Sequence, residues 1–118
     1  YGLMLHEALR AADVLASEGV DTEVVDLRTL SPLDKETILT SVRKTGKVLI
    51  VHEDNKTGGL GGELSAIVAE EAFEWLDGPI TRVCAPDVPG VPFSHPMQDF
   101  FMPDAARIAA AMRQLAAY

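Results

Sequence analysis

Apolar residues recur along the chain in two rhythms. Leu5, Leu9, Ala12, Leu15 and Ala16 fall at helical spacing, which predicts an amphipathic helix over residues 3–18. Gly19 stands where a left-handed C-terminal cap belongs. The run Thr22-Glu23-Val24-Val25-Asp26-Leu27 reads as a strand. Ser31-Pro32-Leu33-Asp34 then reads as a helix start, with Ser31 capping, Pro32 in the first turn and Asp34 complementing the dipole. Ile38, Leu39 and Val42 supply the buried stripe of that helix, and Gly46 ends it. Val48-Leu49-Ile50-Val51 is continuously apolar, the mark of a strand covered on both faces.

Residues 52–57 read as a polar loop leaving the sheet. The glycine cluster Gly58-Gly59-Leu60-Gly61-Gly62 leads into a helix carrying Leu64, Ile67, Val68, Ala72, Trp75 and Leu76, stopped by Asp77-Gly78-Pro79. Ile80–Cys84 is a further strand. Pro86, Pro89, Pro92 and Pro96 exclude regular structure for about ten residues. Phe93, Phe100 and Phe101 are expected to hold this stretch against the body. A last helix starts near Asp104 with Ile108, Met112 and Leu115 inward. Helices alternating with short strands predict one α/β domain over residues 1–118. Tyr1-Gly2 resembles the tail of an earlier strand, so a fragment of a longer chain is expected.

Charge narrows the partners. Eighteen acidic residues against ten basic ones give a net charge of -8. That surface repels a phosphate backbone, so nucleic acid is not expected, while a cationic partner is. No apolar run approaches the ~20 residues that span a bilayer. A single cysteine, Cys84, excludes an internal disulfide and fits a reducing compartment.

Candidate chemistry is sparse. Glycines between a strand and a helix let backbone N–H groups approach an anion. Here Leu64 stands where a dinucleotide fingerprint needs its third glycine after Gly59 and Gly61, and no Gly-Lys-Ser/Thr follows. A tight turn or a close contact explains the cluster as well. His52 and Glu53 sit at the carboxyl end of the apolar strand, where open α/β sheets bind ligands. His52 could transfer protons, but no nucleophile or base partner is apparent, which favours a structural or interface residue. His6 and His95 form no metal-like spacing. The residues themselves therefore yield no catalytic, cofactor or metal site. A stand-alone anion-binding or regulatory α/β module using the glycine turn remains an alternative, separable by titration with phosphate and nucleotides.

One series is far more specific. Glu23-Val24-Val25-Asp26-Leu27-Arg28-Thr29-Leu30-Ser31-Pro32-Leu33-Asp34 is followed by Ser41–Lys47 and Val51-His52-Glu53. Glu70-Glu71-Ala72-Phe73, Leu76-Asp77-Gly78-Pro79, Arg82-Val83, Asp87-Val88-Pro89 and Pro92-Phe93 come next. Taken in order, these resemble the beta subunit of the thiamine-diphosphate-dependent decarboxylating component of 2-oxo-acid dehydrogenase complexes. That family includes branched-chain 2-oxoisovalerate, pyruvate and acetoin types. The match corresponds to its transketolase-like C-terminal domain.

The resemblance implies a three-layer α/β/α sandwich with a mostly parallel sheet whose leading strand or strands would precede Tyr1. It implies a full enzyme that decarboxylates a 2-oxo acid on thiamine diphosphate and magnesium, then acylates lipoyl groups of an acyltransferase core. The cofactor motif, catalytic glutamate and substrate-side histidine of relatives match nothing here, so this domain is expected to bind no cofactor and to be inactive alone. Implied partners are the alpha subunit or a fused alpha part, a second beta subunit, and the peripheral-subunit-binding domain of the dihydrolipoyl acyltransferase. In relatives that docking uses the aspartate of a Leu-Asp-Ala-Pro turn and the terminal carboxylate, which match Asp77 and Tyr118. Gly78 replaces the alanine. Another transketolase-superfamily enzyme is the nearest rival, and the implied location is cytoplasmic, or the mitochondrial matrix in a eukaryote.

Overall fold

The computed structural model describes residues 1–90 and 92–118. Its elements are α1 (Leu3–Ser17), α2 (Lys35–Thr45), β1 (Leu49–Asn55), α3 (Leu60–Glu71), a 3-10 turn (Phe73–Trp75), β2 (Thr81–Ala85), α4 (His95–Phe101) and α5 (Ala105–Ala116). β1 and β2 pair in parallel, with Leu49 opposite Thr81 and Val51 opposite Val83. Because successive strand residues face opposite sides, the ladder divides the core in two. Leu49, Val51 and Val83 pack on Ala11, Leu15, Ile108 and Ala109 of α1 and α5. Val48 and Ile80 pack with Leu39, Val42, Ile67, Val68 and Ala72 on the α2–α3 side. Helices on both faces of a parallel sheet make the three-layer α/β/α arrangement expected for this class.

Local chemistry explains the helix ends. Gly19 (φ 82°) and Gly46 (φ 68°) take the left-handed conformation that closes α1 and α2. Asp104 caps α5 by accepting from Arg107 N at 2.7 Å. Asp34, rather than Ser31, caps α2, accepting from Thr37 N and Thr37 Oγ1. Leu30 and Leu33 bridge each other in a tight turn, so Ser31 and Pro32 are spent before the helix begins.

Several other expectations need correction. α1 buries Met4, Ala11 and Leu15 and leaves Leu9 exposed, a stripe rotated from the one read in the sequence. This helix is apolar on more than one side, and contact with α5 decides which side turns inward. α3 ends at Glu71, so Trp75 and Leu76 lie beyond it. Inside the proline-rich stretch a short helix, α4, starts at His95, with Pro96 in the first turn, where a missing N–H costs nothing. Val91, also within that stretch, lies outside the described residues. Only Phe101 of the three phenylalanines is buried; Phe100 is exposed and Phe93 is 100% exposed.

The largest departure concerns residues 22–27. They run without helix or ladder, and no backbone hydrogen bond joins them to β1 among the described residues. A strand needs a neighbour to pair with, and here a cleft of about 280 Å³ separates this segment from β1. For the same reason Val48–Val51 is only half-buried, not covered on all sides. β1 also extends through His52–Asn55, residues that read as loop because they are polar.

Candidate functional site

His52 is the buried polar residue of the core, 1% exposed, on the α3 side of β1. One residue beyond the Val51–Val83 pair, where the register begins to shift, His52 of β1 comes beside Cys84 of β2. Cys84 Sγ lies 3.2 Å from His52 Nε2. The Gly61 N–H donates to the same nitrogen at 3.2 Å. A nitrogen that accepts from a peptide N–H carries no proton, so the ring proton sits on Nδ1. Nδ1 is buried and has no hydrogen-bond partner among the described residues.

This packing explains the glycines. A side chain at Gly59 would meet Asn55 O and lie 2.7 Å from His52 Cε1. One at Gly61 would lie 2.5 Å from His52 Nε2. The turn is therefore a close approach of α3 to the imidazole, and its Gly61 donor is already used. The glycine turn thus offers no free cradle for a diphosphate. Nor do the described residues hold a cluster of three His, Cys, Asp or Glu side chains suited to a metal. At the glycine turn and the His52–Cys84 pair, the groups present do not fit thiamine diphosphate or magnesium.

Electrostatics keep the His52–Cys84 pair neutral. Burial lowers the pKa of His52 below its ordinary value, outweighing the nearby Asp54. Burial raises the Cys84 thiol, against the pull of Arg82 and Lys56. Both shifts oppose a thiolate–imidazolium pair, so the contact is a neutral hydrogen bond and not an activated nucleophile. Glu53, the next residue, is exposed and takes no part.

At another corner Tyr118 lies against Gly78, the residue after Asp77. The Asp77 N–H donates to Gly46 O at 2.7 Å, and the Asp77 carboxylate lies against Gly46 so closely that a Cβ there would strike it. α3 ends six residues earlier, so Asp77 stands not at its C-terminus but beside that of α2. A carboxylate there faces the partial negative charge of a helix C-terminus, an unfavourable placement. A Cβ on Gly78 would lie 3.3 Å from Tyr118 Cβ, so the last residue rests on the turn that carries Asp77. Both residues are exposed. Sequence spacing alone could not bring 118 to the turn at 77–78, or 52 to 84; each approach depends on the packing of elements far apart in the chain.

Comparison with known proteins follows the same outline. The sequence profile described as transketolase, C-terminal domain, matches residues 1–108. The chain is 47% identical over 118 residues to a 2-oxoisovalerate dehydrogenase subunit beta of Bacillus subtilis, covering 100% of this chain and 36% of that one. It is 50% identical over 114 residues to an acetoin:2,6-dichlorophenolindophenol oxidoreductase subunit beta of Cupriavidus necator, covering 97% and 33%. A pyruvate dehydrogenase E1 component subunit beta of Chaetosphaeridium globosum is 43% identical, covering 98% and 35%. A solved split-gene transketolase, an inactive beta4 tetramer, superposes with a TM-score of 0.82 at 31% identity, covering 98% and 37%. The chain thus spans about a third of the length of the curated relatives it matches.

Proposed function

The chain belongs to the transketolase C-terminal domain family, and from that premise we propose that it serves as the C-terminal domain of a 2-oxo-acid dehydrogenase beta subunit. The observation that carries this reading is identity of 43–50% to dehydrogenase and oxidoreductase beta subunits along nearly the whole chain. In the proposed holoenzyme, an oxidoreductase, a 2-oxo acid is decarboxylated on thiamine diphosphate and the acyl group passes to lipoyl groups of the core. The domain contributes assembly and docking, and the chemistry belongs to other parts of the enzyme. The neutral His52–Cys84 pair and the filled glycine turn support that division, since neither offers an acid–base pair or a diphosphate cradle.

The cleft beside β1 is the proposed seat of the leading strand. Thr81 N donates to Val48 O at 3.0 Å. The alternation of a parallel ladder then aims the Ile50 and His52 N–H groups at β2, and those of Leu49 and Val51 at the cleft. A strand entering there would pair with both walls.

The Asp77–Tyr118 corner is the proposed contact for a basic helical partner, the peripheral-subunit-binding domain of the acyltransferase. Its exposure, a carboxylate held against a helix C-terminus and the -8 net charge support this. The alpha subunit and a second beta subunit are the other proposed partners, in the cytoplasm or the mitochondrial matrix. The test is binding of the intact beta subunit to that domain at low and raised salt. Asp77→Asn keeps the turn and removes the charge, and losing a charge partner in a desolvated contact costs roughly 2–5 kcal/mol. Weaker binding for Asp77→Asn and for a chain lacking Tyr118 is expected; unchanged affinity for both places docking elsewhere.

A further inference from the structure

Six of the ten basic residues are held in ion pairs with carboxylates. Three of the other four, Lys56, Arg82 and Arg107, converge on one pocket of about 330 Å³. In an acidic chain this is an unusual use of its free positive charge. The pocket lies at the carboxyl end of the sheet: Lys56 follows the last residue of β1, and Cys84 and Ala85 of β2 form part of the wall. That edge is where open α/β sheets receive ligands.

Two of the three cations, Arg82 and Arg107, are fixed by the backbone. Arg82 Nη1 donates to Lys56 O at 3.1 Å, and its stem packs 3.4 Å from where a Cβ on Gly61 would stand. Arg107 Nη1 donates to Met102 O at 3.2 Å, and Nη2 reaches Cys84 O at 3.5 Å. These bonds orient both guanidinium forks and leave further N–H groups unused. The one carboxylate in the wall, Asp87, is committed to Thr57, accepting from its N at 2.9 Å and its Oγ1 at 2.7 Å. It makes no ion pair with the cations among the described residues. The field of Arg82 is felt nearby, opposing the charged form of His52 and favouring the thiolate of Cys84.

We propose that this pocket binds the phosphate group of a small molecule through Lys56, Arg82 and Arg107. Guanidinium forks match carboxylate and phosphate alike, and charge decides between them. Three cations against one aspartate leave an excess of two positive charges, suited to a group carrying about -1.5 to -2 at neutral pH. A carboxylate would leave half of that excess uncompensated. This site is separate from the glycine turn, whose Gly61 donor is taken, and does not depend on the docking role.

Equilibrium dialysis of the intact protein against radiolabelled inorganic phosphate, at fixed chloride and ionic strength, tests it. The proposal expects saturable binding at one site per chain. Lys56→Gln and Arg107→Gln should each weaken it at least fivefold, and Lys56→Gln should leave the unfolding midpoint unchanged, because the Lys56 side chain is exposed and makes no hydrogen bond or ion pair among the described residues. Methyl phosphate should compete, and acetate at least tenfold less well. A methyl phosphate that competes better than inorganic phosphate marks the ligand as a phosphorylated organic molecule, and equal competition marks it as free phosphate. No saturable binding, equal competition by acetate, or full affinity in both variants overturns the assignment.

Discussion

Gly61→Ala should reverse the sign of its effect on stability according to what occupies position 52. Gly61 is in the first turn of α3, and exchanging glycine for alanine in a helix ordinarily stabilises by about 0.8–1 kcal/mol. Here the new Cβ would lie 2.5 Å from His52 Nε2 and 2.9 Å from Cδ2. His52 is fully buried and held by Gly61 N and Cys84, so it cannot swing away cheaply. Overpacking of this kind costs about 1–3 kcal/mol, and the displaced hydrogen bond adds about 1 kcal/mol. Those terms exceed the helical gain, so a net loss of about 1–3 kcal/mol is expected. In a His52→Ala background the obstacle is gone; the next contact, Arg82 Cδ at 3.4 Å, is an ordinary one. Gly61→Ala should then be neutral or stabilise by up to about 1 kcal/mol. The assay is a double-mutant cycle by urea unfolding, followed through Trp75 fluorescence. A coupling of about 1–4 kcal/mol is expected. Equal cost in both backgrounds, or a gain in the wild type, would refute the close-approach account of the glycine turn.

Two further outcomes follow from the same geometry. Burial holds His52 below the ordinary value of 6.5, so the unfolded chain takes up its proton first. Its contribution to stability is therefore complete above about pH 6.5 and declines as pH falls below it; urea midpoints from pH 7.5 to 5 should show this, and His52→Gln should flatten the decline. In hydrogen exchange, the Leu49 and Val51 amides facing the cleft should exchange faster than those of Ile50 and His52, and become protected when a strand occupies the cleft. Uniform protection across Leu49–His52 without such a strand contradicts the open edge.

Much of this architecture was legible in residue order because local signals agreed with tertiary ones. Gly46 and Gly19 mark helix ends through positive φ, Asp104 caps α5 as its position suggests, and the Ile108–Leu115 stripe faces inward. The failures have physical causes. Residues 22–27 have strand composition, but composition does not supply a pairing partner. His52–Asn55 are polar, yet β2 pairs with that part of the chain through Ala85. Pro96 reads as a breaker and stands where a helix tolerates it. In the candidate site, Glu53 was placed beside His52 by adjacency, whereas the actual partner, Cys84, comes from the neighbouring strand. Lys56, Arg82 and Arg107 are distant in sequence and gave no local signal at all.

The central claim is that this chain is an assembly and docking domain of a 2-oxo-acid dehydrogenase beta subunit. Grafting it in place of the C-terminal third of the Bacillus subtilis 2-oxoisovalerate dehydrogenase beta subunit tests this most directly. The hybrid, produced with the matching alpha subunit, would be examined by sedimentation and for 2-oxo-acid decarboxylation. The account predicts an assembled hybrid with decarboxylase activity within about tenfold of the parent and the parent's thiamine diphosphate affinity. A hybrid whose grafted domain is folded but which fails to assemble would contradict it.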